Sequence, residues 1–78
     1  MFYTYILKLS NSDFYAGFSS DLRQRLKEHQ SGSVNATKNN LPVELIYYSA
    51  FKTQKLATSF EKYLKSSSGF AFRNKHLV

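Results

Sequence analysis

Arg25 and His29 lie four residues apart in the segment "DLRQRLKEHQSG", residues 21–32, which also carries Leu22 and Leu26. At about 100° per residue of an α-helix, His29 falls within the leucine stripe and Arg25 at its shoulder. A buried arginine is costly unless it is paired, so this spacing indicates a partner or an anionic ligand. In the structural alternative, Arg25 extends to the helix edge and His29 is a satisfied boundary residue.

Glu61 is an acidic residue within a second helical pattern, "TQKLATSFEKYLK", residues 53–65. Four residues form the apolar stripe predicted for this helix: Leu56, Ala57, Phe60 and Leu64. Glu61 falls beside this stripe rather than opposite it. A carboxylate in that position is suited to bind a metal ion, or to pair with Lys65 at i+4.

Tyr5 and Tyr15 supply hydroxyl groups from two neighbouring strand-like segments, and Gly17 permits close approach of a ligand or of packing groups. The two tyrosines can serve one site only if they share a face of the sheet. A two-residue loop at Asn11–Ser12 would place them on opposite faces, so we predict an odd-length loop or a bulge. The alternative is that both are ordinary sheet aromatics.

The elements that position these residues begin with two strands, over residues 2–9 and 13–18, which predict a β-hairpin. Ser19 or Ser20 is the predicted N-cap of a helix over about 20–30. Gly32 is its predicted C′ residue.

Residues 31–42 are polar and aperiodic and predict a loop, a common setting for binding residues. "VELIYYSAF", residues 43–51, predicts a third strand, and its near-continuous apolar run favours a central place in the sheet. Thr53 is the predicted cap of a helix over about 54–66, and residues 70–78 predict a short third helix. The order ββαβα(α) indicates an α+β fold, a small three-stranded antiparallel sheet flanked by helices.

Length and charge limit the classes of function. The 78 residues predict one domain over 1–78, and 11 Lys and Arg against 5 Asp and Glu give a net charge of +6. Phosphate polymers are natural partners of such a surface. The chain has no cysteine and shows no signal peptide or long apolar segment, so we expect a cytoplasmic protein without membrane association.

With these motifs the chain resembles the GIY-YIG nuclease superfamily, particularly its small stand-alone bacterial members. Tyr3-Thr4-Tyr5 is similar to the first triplet of the family and Tyr15-Ala16-Gly17 to the second, with Tyr3 and Ala16 as departures. The arginine, histidine and glutamate of the family match Arg25, His29 and Glu61. The similarity extends through "LPVELIYYSAF" and "YLKSSSGFAFRNKHL", and so covers nearly the whole chain.

The resemblance implies a metal-dependent endonuclease that hydrolyses phosphodiester bonds in DNA, with branched, repair or recombination intermediates among the candidate substrates. Glu61 would hold one divalent cation, Mg²⁺ or Mn²⁺, and Arg25 would grip phosphate oxygens. Tyr5 is the first candidate for general base toward water, with Tyr15 orienting or donating. His29 is the alternative proton carrier.

Two further functions stay open from the sequence. The first is a nucleic-acid-binding module, for DNA or RNA, that keeps the fold without efficient cleavage. Its candidate contacts are one glycine and three lysines: Gly17, Lys38, Lys62 and Lys65. The second is a protein-interaction domain that uses the aromatic surface.

Overall fold

The central strand of the sheet is β1 (Phe2–Lys8), in a computed structural model that describes residues 1–66. This strand pairs antiparallel with β2 (Phe14–Ser19) on one side and with β3 (Glu44–Phe51) on the other. The sheet order is therefore β2–β1–β3. Four consecutive residues of β1, 4–7, are buried, as is typical of a strand covered on both faces. The α+β fold predicted from the sequence is confirmed.

The predicted central position of the third strand is wrong, because β3 lies at a sheet edge. Its apolar run includes Tyr47 and Tyr48, and Tyr48 is 56% exposed. Tyrosine can place its ring against the protein and its hydroxyl in water, so an apolar run rich in tyrosine is compatible with an edge.

The β1–β2 hairpin places Tyr5 and Tyr15 on the same face of the sheet. Tyr5 pairs with Gly17, and Tyr15 pairs with Leu7 one step closer to the turn. The loop between the paired residues Leu9 and Asp13 has three residues, and Ser12 adopts a positive φ of 70°. This conformation is typical of three-residue hairpin loops. The predicted odd-length loop is therefore confirmed.

The first helix, α1 (Leu22–Gln30), packs Leu22 and Leu26 against the sheet face that carries Tyr5. Its N-cap is Asp21, whose carboxylate accepts the backbone N–H of Gln24 at 3.1 Å. The predicted cap, Ser19 or Ser20, is therefore wrong. The reason is that Ser19 Oγ already bonds the backbone N–H of Asp21, so the helix begins after Asp21.

The C-terminus of α1 turns back toward the sheet at Gly32, whose φ is 82°. Gly32 N–H donates to the carbonyl of His29, and Ser33 N–H donates to that of Glu28. This pair of bonds is a Schellman motif with glycine at C′, as predicted.

The second helix, α2 (Gln54–Lys65), covers the opposite face of the sheet, and Thr53 is its N-cap as predicted. Ala57 and Leu64 are its buried residues, whereas Leu56 is 54% exposed. The predicted place of Leu56 in the apolar stripe is wrong. Because Ala57 and Leu64 set the centre of the buried face, Leu56 falls about 90° from that centre and Glu61 only about 50°.

Residues 31–43 form a succession of turns in which Val34, Thr37 and Val43 are buried. Within residues 1–66 the longest helix has 12 residues, and neither helix is long and apolar enough to cross a bilayer. The third helix predicted over 70–78 lies outside the described residues.

Candidate active site

Tyr5 lies over Gly17, its partner on β2. A Cβ atom added to Gly17 would stand 2.4 Å from the Tyr5 hydroxyl and 2.5 Å from Cζ, closer than atoms can approach. Glycine is therefore the residue that admits the Tyr5 side chain to this place. Of the two alternatives for Gly17, the structure shows packing of Tyr5 against it; contact with nucleic acid stays a prediction.

The rings of three residues pack together and form what we call the ring cluster: Tyr5, Tyr15 and His29. The ring centroids lie 5.6 Å apart for Tyr5 and His29, 5.3 Å for Tyr15 and His29, and 6.5 Å for the two tyrosines. Both contacts with His29 are edge-to-face, the geometry preferred by aromatic pairs. The hairpin register and the face of α1 thus bring together three residues spread over 25 positions of the sequence.

His29 is fully buried, with 0% of its surface exposed. Its Nε2 lies 2.8 Å from the Tyr5 hydroxyl, and its Nδ1 lies 2.8 Å from Thr37 Oγ1. Burial, joined by the positive charge of Arg25 and opposed by Glu28, lowers the pKa of His29 below its ordinary value. The imidazole is therefore neutral at pH 7, with one nitrogen protonated and the other free to accept.

Tyr5 is 1% exposed, and desolvation by this burial is the largest cause that raises its pKa, to about 12. A hydrogen-bonding interaction with Arg25 acts in the opposite direction, and the charges of Tyr15 and Glu61 add to the rise. At neutral pH Tyr5 is therefore a phenol that can donate a proton, not a phenolate.

Arg25 lies at the border of the ring cluster, with its side chain 36% exposed. Its Nη1 is 3.0 Å from Glu28 Oε1, and this hydrogen bond, followed by the one with Tyr5, raises the pKa of Arg25. The shoulder position predicted from the helical spacing is what the structure shows. A guanidinium has five N–H donors, so donors are left for an anion when Glu28 and Tyr5 are engaged.

Glu61 lies on α2, four residues before Lys65, which contacts Tyr15. Its side chain is 21% exposed, and Lys65 Nζ lies 3.1 Å from its Oε2. The same Lys65 Nζ lies 5.6 Å from the centre of the Tyr15 ring, within the range of a cation–π contact. Of the two sequence alternatives for Glu61, the structure shows the pair with Lys65, and the charge of Glu61 adds to the raised pKa of Tyr5; metal binding stays a prediction.

The donor set around Glu61 fits one particular kind of metal site. Within residues 1–66 no three His, Asp or Glu side chains come together, so these residues form no closed metal cage. Mg²⁺ is often held by only one or two carboxylates together with water and substrate phosphates. Glu61, whose side chain is 21% exposed, would supply one carboxylate ligand of such a site.

Thr37 is a site residue that sequence reasoning missed. It is fully buried and bonds His29 directly, although it comes from the aperiodic segment 31–42. The sequence offered no periodic signal for it, because Thr37 lies in a succession of turns rather than in a helix or strand.

The three lysines predicted to contact nucleic acid are all exposed, but they lie at different positions relative to the ring cluster. Lys65 touches the site, as described above, and Lys62 lies three residues before it on α2. Lys38 follows Thr37 in the turn region, so its backbone adjoins a residue bonded to His29.

Comparison with known proteins places this arrangement in a family. The GIY-YIG catalytic domain matches residues 1–75. A UPF0213 protein of Haloquadratum walsbyi is 34% identical over 65 residues, which cover 82% of this chain and 73% of the relative. One from Clostridium perfringens is 36% identical over 66 residues, 83% of this chain and 71% of the relative.

A solved structure agrees with the fold. The solution NMR structure of a UPF0213 protein from Bacillus halodurans superimposes with a TM-score of 0.59 at 28% identity. The superposition covers 96% of this chain and 84% of the other. The chain therefore belongs to the GIY-YIG domain family.

Proposed function

We propose that this protein is a metal-dependent endonuclease that hydrolyses phosphodiester bonds in DNA. The observation that supports the proposal is the ring cluster with Arg25 at its border and with Glu61 near enough for its charge to raise the pKa of Tyr5. Arg25 and His29 come from α1, Tyr5 from β1 and Glu61 from α2. Hydrolysis of a phosphodiester needs a group that binds the phosphate, a base for the attacking water and a ligand for the cation together.

Arg25 binds the scissile phosphate in this mechanism. A planar guanidinium suits two phosphate oxygens at once, and charge-assisted hydrogen bonds of this kind are strong. Arg25 also lowers the pKa of Tyr5 against the larger effect of burial, so a phosphate held by Arg25 would lie near the Tyr5 hydroxyl.

Tyr5 and His29 carry the proton of the attacking water. A phenol with a pKa of about 12 is a poor base by itself at neutral pH. The hydrogen bond to His29 Nε2 removes this difficulty, because Tyr5 can pass its own proton to the imidazole as it takes one from water. Tyr15, which is only partly buried, orients the water or protonates the leaving oxygen.

Glu61 is the residue that would hold a divalent cation in this site. When bound, the cation stabilises negative charge on the phosphate and on the leaving 3′ oxygen. Lys65 must leave Glu61 for this to happen, and the phosphate backbone of DNA offers it a new partner.

The test is cleavage of labelled single-stranded, duplex and branched DNA with Mg²⁺ or Mn²⁺. Wild type is compared with Glu61→Gln and with Glu44→Gln, which makes the same change at an exposed residue of β3. We expect metal-dependent cleavage by wild type and Glu44→Gln and its loss in Glu61→Gln, with all three folded by circular dichroism.

Two results would count against the proposal. Salt-sensitive DNA binding without cleavage by any of the proteins would favour the non-catalytic binding module, which the net charge of +6 also supports. Equal cleavage by wild type and Glu61→Gln would mean that Glu61 does not hold the cation.

A further inference from the structure

Thr37 has a contact that packing alone does not explain. Its side chain is completely buried, and its Oγ1 lies 2.8 Å from His29 Nδ1. Valine has nearly the same shape and would fill the same space, but it has no hydroxyl. What distinguishes threonine here is therefore the hydrogen bond to the imidazole.

The neighbours of His29 define where its proton lies. Arg25 can only donate and so offers the Tyr5 O–H no acceptor; among the contacts described for that hydroxyl within residues 1–66, His29 Nε2 is the atom that can accept its proton. A neutral imidazole that accepts at Nε2 carries its proton at Nδ1. Nδ1–H then donates to Thr37 Oγ1, and the order of donors runs from Tyr5 through His29 to Thr37.

We infer that Thr37 is a positioning residue that fixes His29 in the Nδ1–H form and so keeps Nε2 available to accept the proton of Tyr5. The partner of one ring nitrogen sets the protonation of the other, as is general for histidine. This inference rests on the proposed function, because the acceptor at Nε2 matters only if Tyr5 transfers a proton.

Backbone hydrogen bonds fix the position of Thr37 next to His29. Thr37 N–H donates to the carbonyl of Val34 at 3.1 Å, and Asn40 N–H donates to the carbonyl of Thr37 at 3.0 Å. Val34 is itself buried and anchors the start of this turn. A further backbone hydrogen bond, from Ser10 N–H to the carbonyl of Asn40, joins this turn region to the β1–β2 hairpin.

The tautomer of His29 can be measured directly by ¹⁵N NMR on the imidazole nitrogens. We would compare wild type, Thr37→Val, Thr37→Ser and a control, Thr58→Val, which removes a hydroxyl from α2. The sequence has two histidines, so a His76→Gln background isolates the signals of His29. We expect the Nδ1–H form in wild type, Thr37→Ser and Thr58→Val, and a shift toward Nε2–H in Thr37→Val.

Cleavage kinetics provide the second readout. Because only proton transfer is affected, Thr37→Val should lower kcat about tenfold or more with little change in KM, and Thr37→Ser should restore it. An Nε2–H tautomer in the wild type would overturn the inference, even if Thr37→Val does not fold. So would Thr37→Val with an unchanged tautomer and kcat.

The two proposals fail in different ways. If wild type does not cleave DNA, the proposed function is wrong. Tyr5 then transfers no proton in catalysis, so the positioning role of Thr37 is wrong as well. If wild type cleaves and the tautomer is Nε2–H, the inference alone is wrong.

Discussion

The Tyr5 hydroxyl and His29 Nε2 lie 2.8 Å apart in the protein interior, and this hydrogen bond joins the central strand to the first helix. Both residues are almost completely buried. A change in the protonation of either one is therefore felt by the packing of the sheet against α1 as well as by the chemistry of the site.

Acidification should destabilise the protein through His29. Its pKa in the folded protein is lower than the ordinary value of about 6.5, so below that pH the unfolded chain binds a proton that the folded chain does not. The free energy of unfolding should thus fall as the pH drops below about 6.5, until the folded form is protonated too. Urea unfolding followed by circular dichroism between pH 8 and 5.5 measures this slope.

The matched comparison uses His29→Gln, which cannot titrate, with both proteins in a His76→Gln background. The slope over this range should be smaller in His29→Gln. Equal slopes in the two proteins would show that His29 is not the group responsible.

Gly17→Ala should disrupt the site through Tyr5. The added Cβ overlaps the Tyr5 ring, so the ring must move and its hydrogen bond to His29 is broken. Overpacking of this kind costs about 1–3 kcal/mol, which denaturant unfolding can detect. In a Tyr5→Ala background the clash is absent, so there the same change should cost much less. A cost that is independent of Tyr5 would contradict this explanation.

Lys65→Gln should bind Mn²⁺ more tightly than wild type in the absence of DNA. The ammonium of Lys65 pairs with the carboxylate that we expect to hold the cation, so the two positive ions compete. Exposed pairs of this kind contribute about 0.2–1 kcal/mol, which corresponds to about a 1.4- to 5-fold gain in affinity. Electron paramagnetic resonance of free Mn²⁺ measures it without any cleavage.

The control for this experiment is Lys62→Gln. It removes the same charge one residue after Glu61 but leaves the pair between Lys65 and Glu61 in place. An equal gain in both variants would point to a general effect of charge rather than to competition at Glu61.

Lys38→Gln should weaken DNA binding at low salt and reduce its salt dependence. Each phosphate contact that is lost lowers the slope of log K against log salt by about 0.9 for duplex DNA. Arg23→Gln is the matched control, because Arg23 is exposed and lies almost opposite Arg25 at about 100° per residue. Fluorescence anisotropy at several salt concentrations should show a changed slope for Lys38→Gln only. Parallel slopes for all three proteins would remove Lys38 from the binding surface.

Periodicity in the sequence predicted where several side chains lie, whereas their roles in a common site are what the resemblance to the GIY-YIG superfamily implies. Helical spacing placed His29 on the buried face of α1 and Arg25 at its border, and the requirement of a shared face predicted an odd hairpin loop. These inferences held because each depends on geometry within one element or between two adjacent strands. The predictions of Gly32 as C′ residue of α1 and of Thr53 as N-cap of α2 are confirmed for the same reason.

The errors concern relations between distant parts of the chain. Which strand is central depends on which pairs form, and an apolar run such as that of β3 does not encode this. Leu56 was misplaced because the packing of Ala57 and Leu64 decides which arc of α2 is buried. Thr37 was missed because its role arises from a turn that carries no periodic signal.

The central place of β1 has a consequence for how the protein opens. A strand that is hydrogen-bonded on both sides exchanges its amide hydrogens mainly when the whole domain unfolds, whereas turns and edge strands open locally. Tyr5 is on this strand, while Thr37 lies in a turn. In hydrogen exchange, the amides of β1 should thus be the last to be replaced, and those near Thr37 should exchange much earlier. Within residues 1–66, the proposed proton donor Tyr5 would thus belong to the part that opens most slowly, and the proposed positioning residue Thr37 to a part that opens faster.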